Sequence, residues 1–427
     1  MSGEATDTHE ARRATVFVTA PSISAGPRAR PHFNRSQFFH DAFRPFYLGG
    51  TLFAAVAVPL WLGMWYDNSF TPSLPSLYWH AHEMVFGFAA AIIIGFLFTA
   101  ARNWTGLPLP AGMPLALLAG LWLAARGGMF FAYGPGTAVA DSLLLLIVAG
   151  VLAKKFILAH SWSSMPMVVV LSLLAGANIS FHASAHDLIS ISPLQAIEAG
   201  LFMVVLIEMI VGGRVVPGFS TNAAPGAWRW RSPWLHRGSF ALAAAAFLAD
   251  TIHAPGFLTG TLALLAGAAV AVQAIGWNPL AARGNPMQWI LHAAYAWIPI
   301  GLVLLGLASF GIVPRSAAIH ALAVGSMGGL IIGMITRTAL GHSGRMVRAG
   351  RVEVWAFILL LLAAALRVAA SLIPPLYLAG MLAAGTAWTA AFTLYVVSYG
   401  AILLGKSPPA DDVAAPLNRP RSIGVQP

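Results

Sequence analysis

The chain contains no cysteine, so disulfides, iron–sulfur clusters, thiolate metal sites, covalent c-type haem attachment and cysteine nucleophiles are excluded. Any metal must be held by His, Met, Asp or Glu. Charge is scarce as well: Asp, Glu, Lys and Arg make up 9% of the 427 residues, against about 25% in a typical globular protein. A water-soluble enzyme is excluded by that figure. Acidic residues number 14 against 24 Lys and Arg, a net charge of +10. The cations are scattered among short loops rather than gathered into one patch. No nucleic-acid partner is therefore expected, and orientation in a lipid bilayer is the better explanation of the imbalance.

What is abundant is apolar sequence, 58% of the chain. A membrane-spanning helix needs roughly 20 apolar residues, which sets a ceiling of about twelve spans. Hydropathy predicts them near 43–66, 80–101, 112–131, 137–159, 165–183, 194–213, 238–255, 257–276, 286–309, 315–336, 352–373 and 376–404. The expectation is an all-α polytopic membrane protein of about 12 transmembrane helices with both termini cytoplasmic. Residues 1–42, rich in Pro, Ser and Arg, read as a disordered or peripheral cytoplasmic tail and not as a signal peptide. Residues 43–405 form the transmembrane domain, and 406–427 a second cytoplasmic tail.

Loop charge supports the count. With twelve spans, 21 of the 24 Lys and Arg fall on the side of the termini, and only Arg126, Arg315 and Arg367 fall toward the other. An excess of positive charge marks the inner face. Trp61, Trp65, Tyr66, Tyr78 and Trp79 cluster at the outer end of the first two spans, where an aromatic belt is expected.

Thirteen histidines are many for so apolar a chain. His9, His32 and His40 lie in the tail, and His160 and His236 sit beside basic residues at the inner surface, where imidazole is inexpensive. The run Tyr78-Trp79-His80-Ala81-His82-Glu83-Met84 differs, because it places two imidazoles and a carboxylate at the outer mouth of the second span. In a helix His80 and Glu83 share a face, while His82 points about 200° away from His80. Imidazole suits iron, copper and zinc, so a metal or haem role is expected, with Met84 as one further candidate copper ligand. His182 and His186 end the fifth span, His253 closes the seventh and His320 enters the tenth, all at one predicted depth. Such convergence is the pattern of a bundle that builds a cofactor site from facing helices. His80, His82, His182 and His320 are the expected metal ligands.

A weaker group lies toward the inner face: His292, His342 and Arg337. His292 reads equally well as a cofactor ligand or a hydrogen-bonded core residue, and His342 as a ligand or a helix C-terminal cation. Glu198, Asn178, Glu208 and Asp250 are further buried polar groups, and ion pairing with Arg214 or Arg337 is expected for Glu208.

Several segments carry a resemblance. They are Phe43-Arg-Pro-Phe46, Trp79-His-Ala-His-Glu-Met84 with Gly87, Asn103-Trp-Thr-Gly106, Asn178-x-x-Phe-His182 and Gly213-Arg-Val-Val-Pro217 with Thr221-Asn222. Further on come His292-x-x-Tyr-Ala-Trp297, His320-Ala-Leu-x-Val-Gly325, Thr336-Arg337 and Leu340-Gly-His-Ser-Gly-Arg345. Over residues 42–405 the chain resembles the NnrS family of bacterial membrane proteins, associated with the response to nitric oxide and described as carrying haem and copper. His186 and His253 lie outside the matching segments. The resemblance implies a multi-pass protein of the bacterial inner membrane, with nitric oxide as ligand and an electron donor of unknown identity. Without cysteine, the natural form of haem is haem b held by imidazole, and further imidazoles can hold copper. Turnover would make the protein a nitric oxide reductase-like oxidoreductase, with Glu83 as the nearest proton donor or supporting carboxylate. Two other classes remain open, a transporter of metal or iron–nitrosyl species and a non-enzymatic nitric oxide or redox-sensing subunit.

Overall fold

The computed structural model describes residues 35–67, 72–223 and 226–405. Most of the expected N-terminal tail and all of the C-terminal one lie outside these residues, and with them His9 and His32. The described part of the N-terminal segment holds one helical turn, Arg35–Phe38, and Asp41, whose carboxylate meets Arg102 at 3.1 Å.

Twelve long helices follow, and no strand occurs among the described residues. They are α1 (Phe43–Asp67), α2 (Ser76–Thr105), α3 (Met113–Phe131), α4 (Pro135–Leu158), α5 (Met165–Ala185) and α6 (Pro193–Ala223). The second half comprises α7 (Pro233–Thr251), α8 (Gly256–Gly276), α9 (Pro286–Ser309), α10 (Arg315–His342), α11 (Arg351–Leu372) and α12 (Tyr377–Leu403). Local sequence fixes several starts. Proline occupies the first turn of α3, α4, α5, α7 and α9, where its missing N–H costs nothing. Ser232 and Asn285 cap α7 and α9 by accepting from the backbone N–H of Leu235 and Met287.

Among the described residues, eleven helices are long and apolar enough to cross a membrane. The exception is α7, expected as the span 238–255, which forms a helix and packs beside α6 and α8. His236 and Arg237 near its start and Asp250 near its end dilute its apolar content. Burial sorts the rest: 89% of the apolar window of α2 is buried and 72% of that of α10, against 33% for α3 and α4. Thus α2 and α10, with α6 and α9, form the interior, and α3 and α4 present Leu117, Leu123 and Val139 outward as a lipid-facing surface would.

Two expectations change on packing. Trp65 and Tyr66 are exposed, but Trp61 and Trp79 are buried core residues, not members of an interfacial belt. Trp61 lies flat on His80, with ring centroids 4.1 Å apart, and Trp79 packs edge-on against Phe130. The three cations on the less basic face, Arg126, Arg315 and Arg367, all have partners within the bundle. Arg315 binds Glu198 of α6 at 2.5 Å and Asp250 of α7 at 2.6 Å, tying three helices together. Replacing Arg315 with Gln is expected to cost about 1–2 kcal/mol, less than a fully buried pair because Arg315 is 43% exposed. Thermal unfolding in detergent at low and high salt checks this, since the loss should shrink as salt screens the pair.

Candidate metal centre

Three helices that are remote in sequence meet in one buried cluster. α2 supplies His82 and Glu83, α4 supplies Asp141, and α5 supplies Asn178 and His182; Arg126 of α3 closes it. All six side chains are buried. One donor atom each from His82, Asp141 and His182 lie within 4.8 Å of one another, the spacing a single metal ion requires.

The hydrogen bonds give each group an orientation. His82 Nδ1 faces Glu83 Oε1 at 3.0 Å, and its Nε2 faces Asn178 Oδ1 at 2.9 Å and Asp141 Oδ2 at 3.3 Å. A carboxylate holding one ring nitrogen leaves the other as the ligating atom, the arrangement that orients metal-bound histidines. His182 Nε2 lies 3.1 Å from Asp141 Oδ2, and Asn178 donates to the same oxygen at 2.8 Å. The second oxygen, Asp141 Oδ1, accepts from Arg126, which also donates to Glu83 Oε1 at 2.5 Å. On the far side, the Tyr133 hydroxyl meets His182 Nδ1 at 3.2 Å. Burial pushes Tyr133 up to about 12, so its hydroxyl keeps its proton and either donates or accepts as His182 changes tautomer. Tyr133 also stacks on His186, so both histidines at the end of α5 share one aromatic partner.

The donor set tests well against a small ion. Two imidazoles and one carboxylate suit copper, iron or zinc. Glu83 and Asp141 carry two negative charges against one on Arg126, and the surplus is held away from water. A buried unbalanced charge is costly, and a bound cation or a proton on the imidazoles offsets it. Glu83 Oε2 is buried without a hydrogen-bond partner, beside Gly87.

His80 and His320 do not join this group. Both, His80 on α2 and His320 on α10, feel the charge of Arg367 on α11, and His320 also that of His80, which sets them at a second place. His320 Nδ1 lies 2.7 Å from the Ser316 carbonyl, which fixes its proton there and leaves Nε2 open, while His80 Nδ1 is buried without a partner. Arg367 donates to Ser371 at 2.8 Å. The four expected ligands therefore divide into two pairs. The two faces expected for His80 and His82 are found, but Glu83 sides with His82, not His80. At Glu83 the helix widens into a π-helical segment, Glu83–Ala89, which ends the regular rotation per residue. α10 carries a matching segment, Ala321–Gly328, again starting one residue after a histidine.

The inner-face candidates are dispersed. His292 Nε2 lies 2.7 Å from Ser220 Oγ, which itself donates to the Val216 carbonyl, so His292 is the donor. Arg337 lies 4.1 Å over the Phe219 ring, and His342 packs against Phe43. His253 is exposed. Two cavities, one between α1, α2, α6 and α10 and one between α1 and α12, have no histidine among their lining residues.

Sequence reasoning did not select Arg126, Tyr133 or Asp141. The available signal was an acid and a base in adjacent apolar spans, each of which needs a partner.

No curated protein matches the chain. The family model described as NnrS protein matches residues 37–407, which takes in all twelve helices and every member of both histidine pairs. The chain belongs to the NnrS family.

Proposed function

We propose that this protein holds a transition metal at His82, Asp141 and His182, and haem b at His80 and His320, and uses them to bind and remove nitric oxide within the bacterial inner membrane. The observation that carries the reading is the convergence of two imidazoles and a carboxylate from three helices at one buried point. Copper fits this donor set. His80 and His320 fit haem as donors, since each offers an open ring nitrogen and the nearby Arg367 suits an anionic substituent. Bound metal supplies a coordination position and an electron for nitric oxide, the electron coming from a donor still to be identified. The chain's own residues orient and balance charge. Glu83 accepts from His82 and Arg126, a geometry that favours an orienting carboxylate over an acid. Its basic face, with the termini, is assigned to the cytoplasm.

Metal analysis and an absorption spectrum of the detergent-purified protein test the reading. Replacing His82 or His182 with Ala should remove the small ion and spare the haem bands, and replacing His80 or His320 should do the reverse. A metal content indifferent to His182, or no haem band in haem-replete protein, would overturn the corresponding assignment. Nitric oxide consumption by the reduced protein, followed with an electrode, separates removal from sensing and from transport.

A further inference from the structure

A cavity of about 70 Å³ lies between α1, α2, α6 and α10, and neither histidine pair lines it. Its wall is a stripe at helical spacing on α6, Val204, Ile207, Val211 and Val215, faced by Ile92 of α2 and Ile331 of α10. The α6 residues that line it run from Val204 to Val216, about 18 Å at 1.5 Å per residue, so the space is long and slender. One carboxyl group borders it. Glu208 does not make the pairing expected with Arg214 or Arg337: Arg214 donates to the Ser163 carbonyl at 2.5 Å, and Arg337 lies over Phe219. Its Oε2 accepts instead from Ser326 Oγ on α10 at 2.9 Å, and its Oε1 is buried. The other polar side chain in the wall, Tyr47, has its hydroxyl against Thr338 Oγ1 at 3.1 Å.

Size and chemistry narrow the occupant. By volume several waters would fit, at about 10–15 Å³ each, but a buried water needs roughly 2–4 polar partners and this wall offers almost none. The cavity is therefore dry. An apolar cavity that takes up benzene measures about 150 Å³, so an aromatic ring, and with it a quinone or a porphyrin, is too large. What fits is a gas atom or a small diatomic molecule. It can arrive from the bilayer, since the cavity is partly open to the surface of the bundle. An empty apolar cavity lowers stability in proportion to its volume, and such an occupant offsets the loss.

The Val204 end of the cavity lies close to the metal centre. Val204 is one helical turn from Gly200, and the two share a face of α6. Gly200 is pressed against Phe86 of α2: a Cβ there would lie 2.5 Å from Phe86 Cζ. The Phe86 ring in turn packs on the His82 imidazole, with centroids 4.9 Å apart. One buried aromatic ring thus stands between the end of the cavity and the ligand. We propose that the cavity is a holding site for nitric oxide taken from the lipid, which reaches His82 by displacement of the Phe86 ring. The choice of gas rests on the function proposed above; the site rests on geometry alone. Nitric oxide is small, uncharged and more soluble in hydrocarbon than in water, which matches the wall. No bond forms or breaks in the cavity.

Xenon, which dry apolar cavities bind, probes the site by nuclear magnetic resonance in the full-length protein in detergent, with or without metal. The wild type should bind xenon beyond what the micelle dissolves, and nitric oxide added without oxygen should displace it. Val211→Phe and Ile331→Phe, whose rings fill the space from facing helices, should lose it. Val397→Phe, on the exposed face of α12, should bind as the wild type does. Circular dichroism of each variant confirms folding. No bound xenon, as a water-filled cavity would give, xenon unaffected by both filling variants, or xenon that nitric oxide fails to displace overturns the holding site. In nitric oxide consumption, Val211→Phe should raise KM several-fold at unchanged kcat, and Phe86→Leu, which opens the partition, should lower it. A KM unchanged in both overturns delivery from the cavity to the metal. A wild type that consumes no nitric oxide yet yields its xenon to it supports the holding site and overturns removal of nitric oxide as the function.

Discussion

Replacing Asp141 with alanine is expected to cost about 3–5 kcal/mol of stability, the cost of breaking a buried ion pair, and to abolish retention of the small metal ion. Asp141 Oδ1 takes Arg126, and Oδ2 takes Asn178 at 2.8 Å and His182 at 3.1 Å. Removing it leaves several buried donors without an acceptor and Arg126 with Glu83 alone. Replacing Glu83, Arg126 and Asp141 together by apolar residues of similar volume should restore stability, because no charge is then stranded, but should not restore metal. Thermal unfolding in detergent, alongside metal stoichiometry, reads both. A triple variant that still retained metal would mean that the ion is held elsewhere.

The next largest effect is expected at Gly87, one turn along α2 from Glu83. A Cβ there would lie 2.9 Å from Arg126 Nη1, 3.0 Å from Glu83 Oε2 and 3.0 Å from Phe53. The Gly87 carbonyl also accepts from Trp122 Nε1 at 2.9 Å, so the backbone cannot simply retreat. Gly87→Val should destabilise by about 1–3 kcal/mol through overpacking. By pushing Arg126 off Glu83 it should weaken metal binding by about 10- to 100-fold, as loss of an orienting partner does. Metal titration under competition with a chelator measures the second effect. Wild-type affinity in Gly87→Val would show that the Arg126–Glu83 contact does not orient His82.

Hydropathy and loop charge made the twelve helices legible, because long apolar runs and basic loops are properties of the chain by itself. Periodicity also separated His80 from His82. The partners that complete the site were less visible. Arg126 entered the sequence reading only as one of three cations on the less basic face, and Asp141 is a single acid in an apolar run with no motif around it. Their meaning depends on each other and on Asn178, 37 residues beyond Asp141. Only packing reveals that. The side to which Glu83 turns was misread because a helical wheel ignores side-chain reach: the long Glu83 side chain bends its carboxylate to His82 Nδ1 and Arg126, and beyond that residue α2 departs from regular winding.

That departure has a mechanical consequence. A π-helical segment holds its hydrogen bonds one residue wider than an α-helix, so the outer ends of α2 and α10 are out of phase with the remainder of their own helices. Reverting either segment to ordinary winding would swing its outer end by about 100°, the angle of one residue. In α2 that twist would carry His82 away from Asp141 and His80 off Trp61 in one stroke, so a local rewinding can disengage both histidine pairs while the inner halves of the helices stay packed.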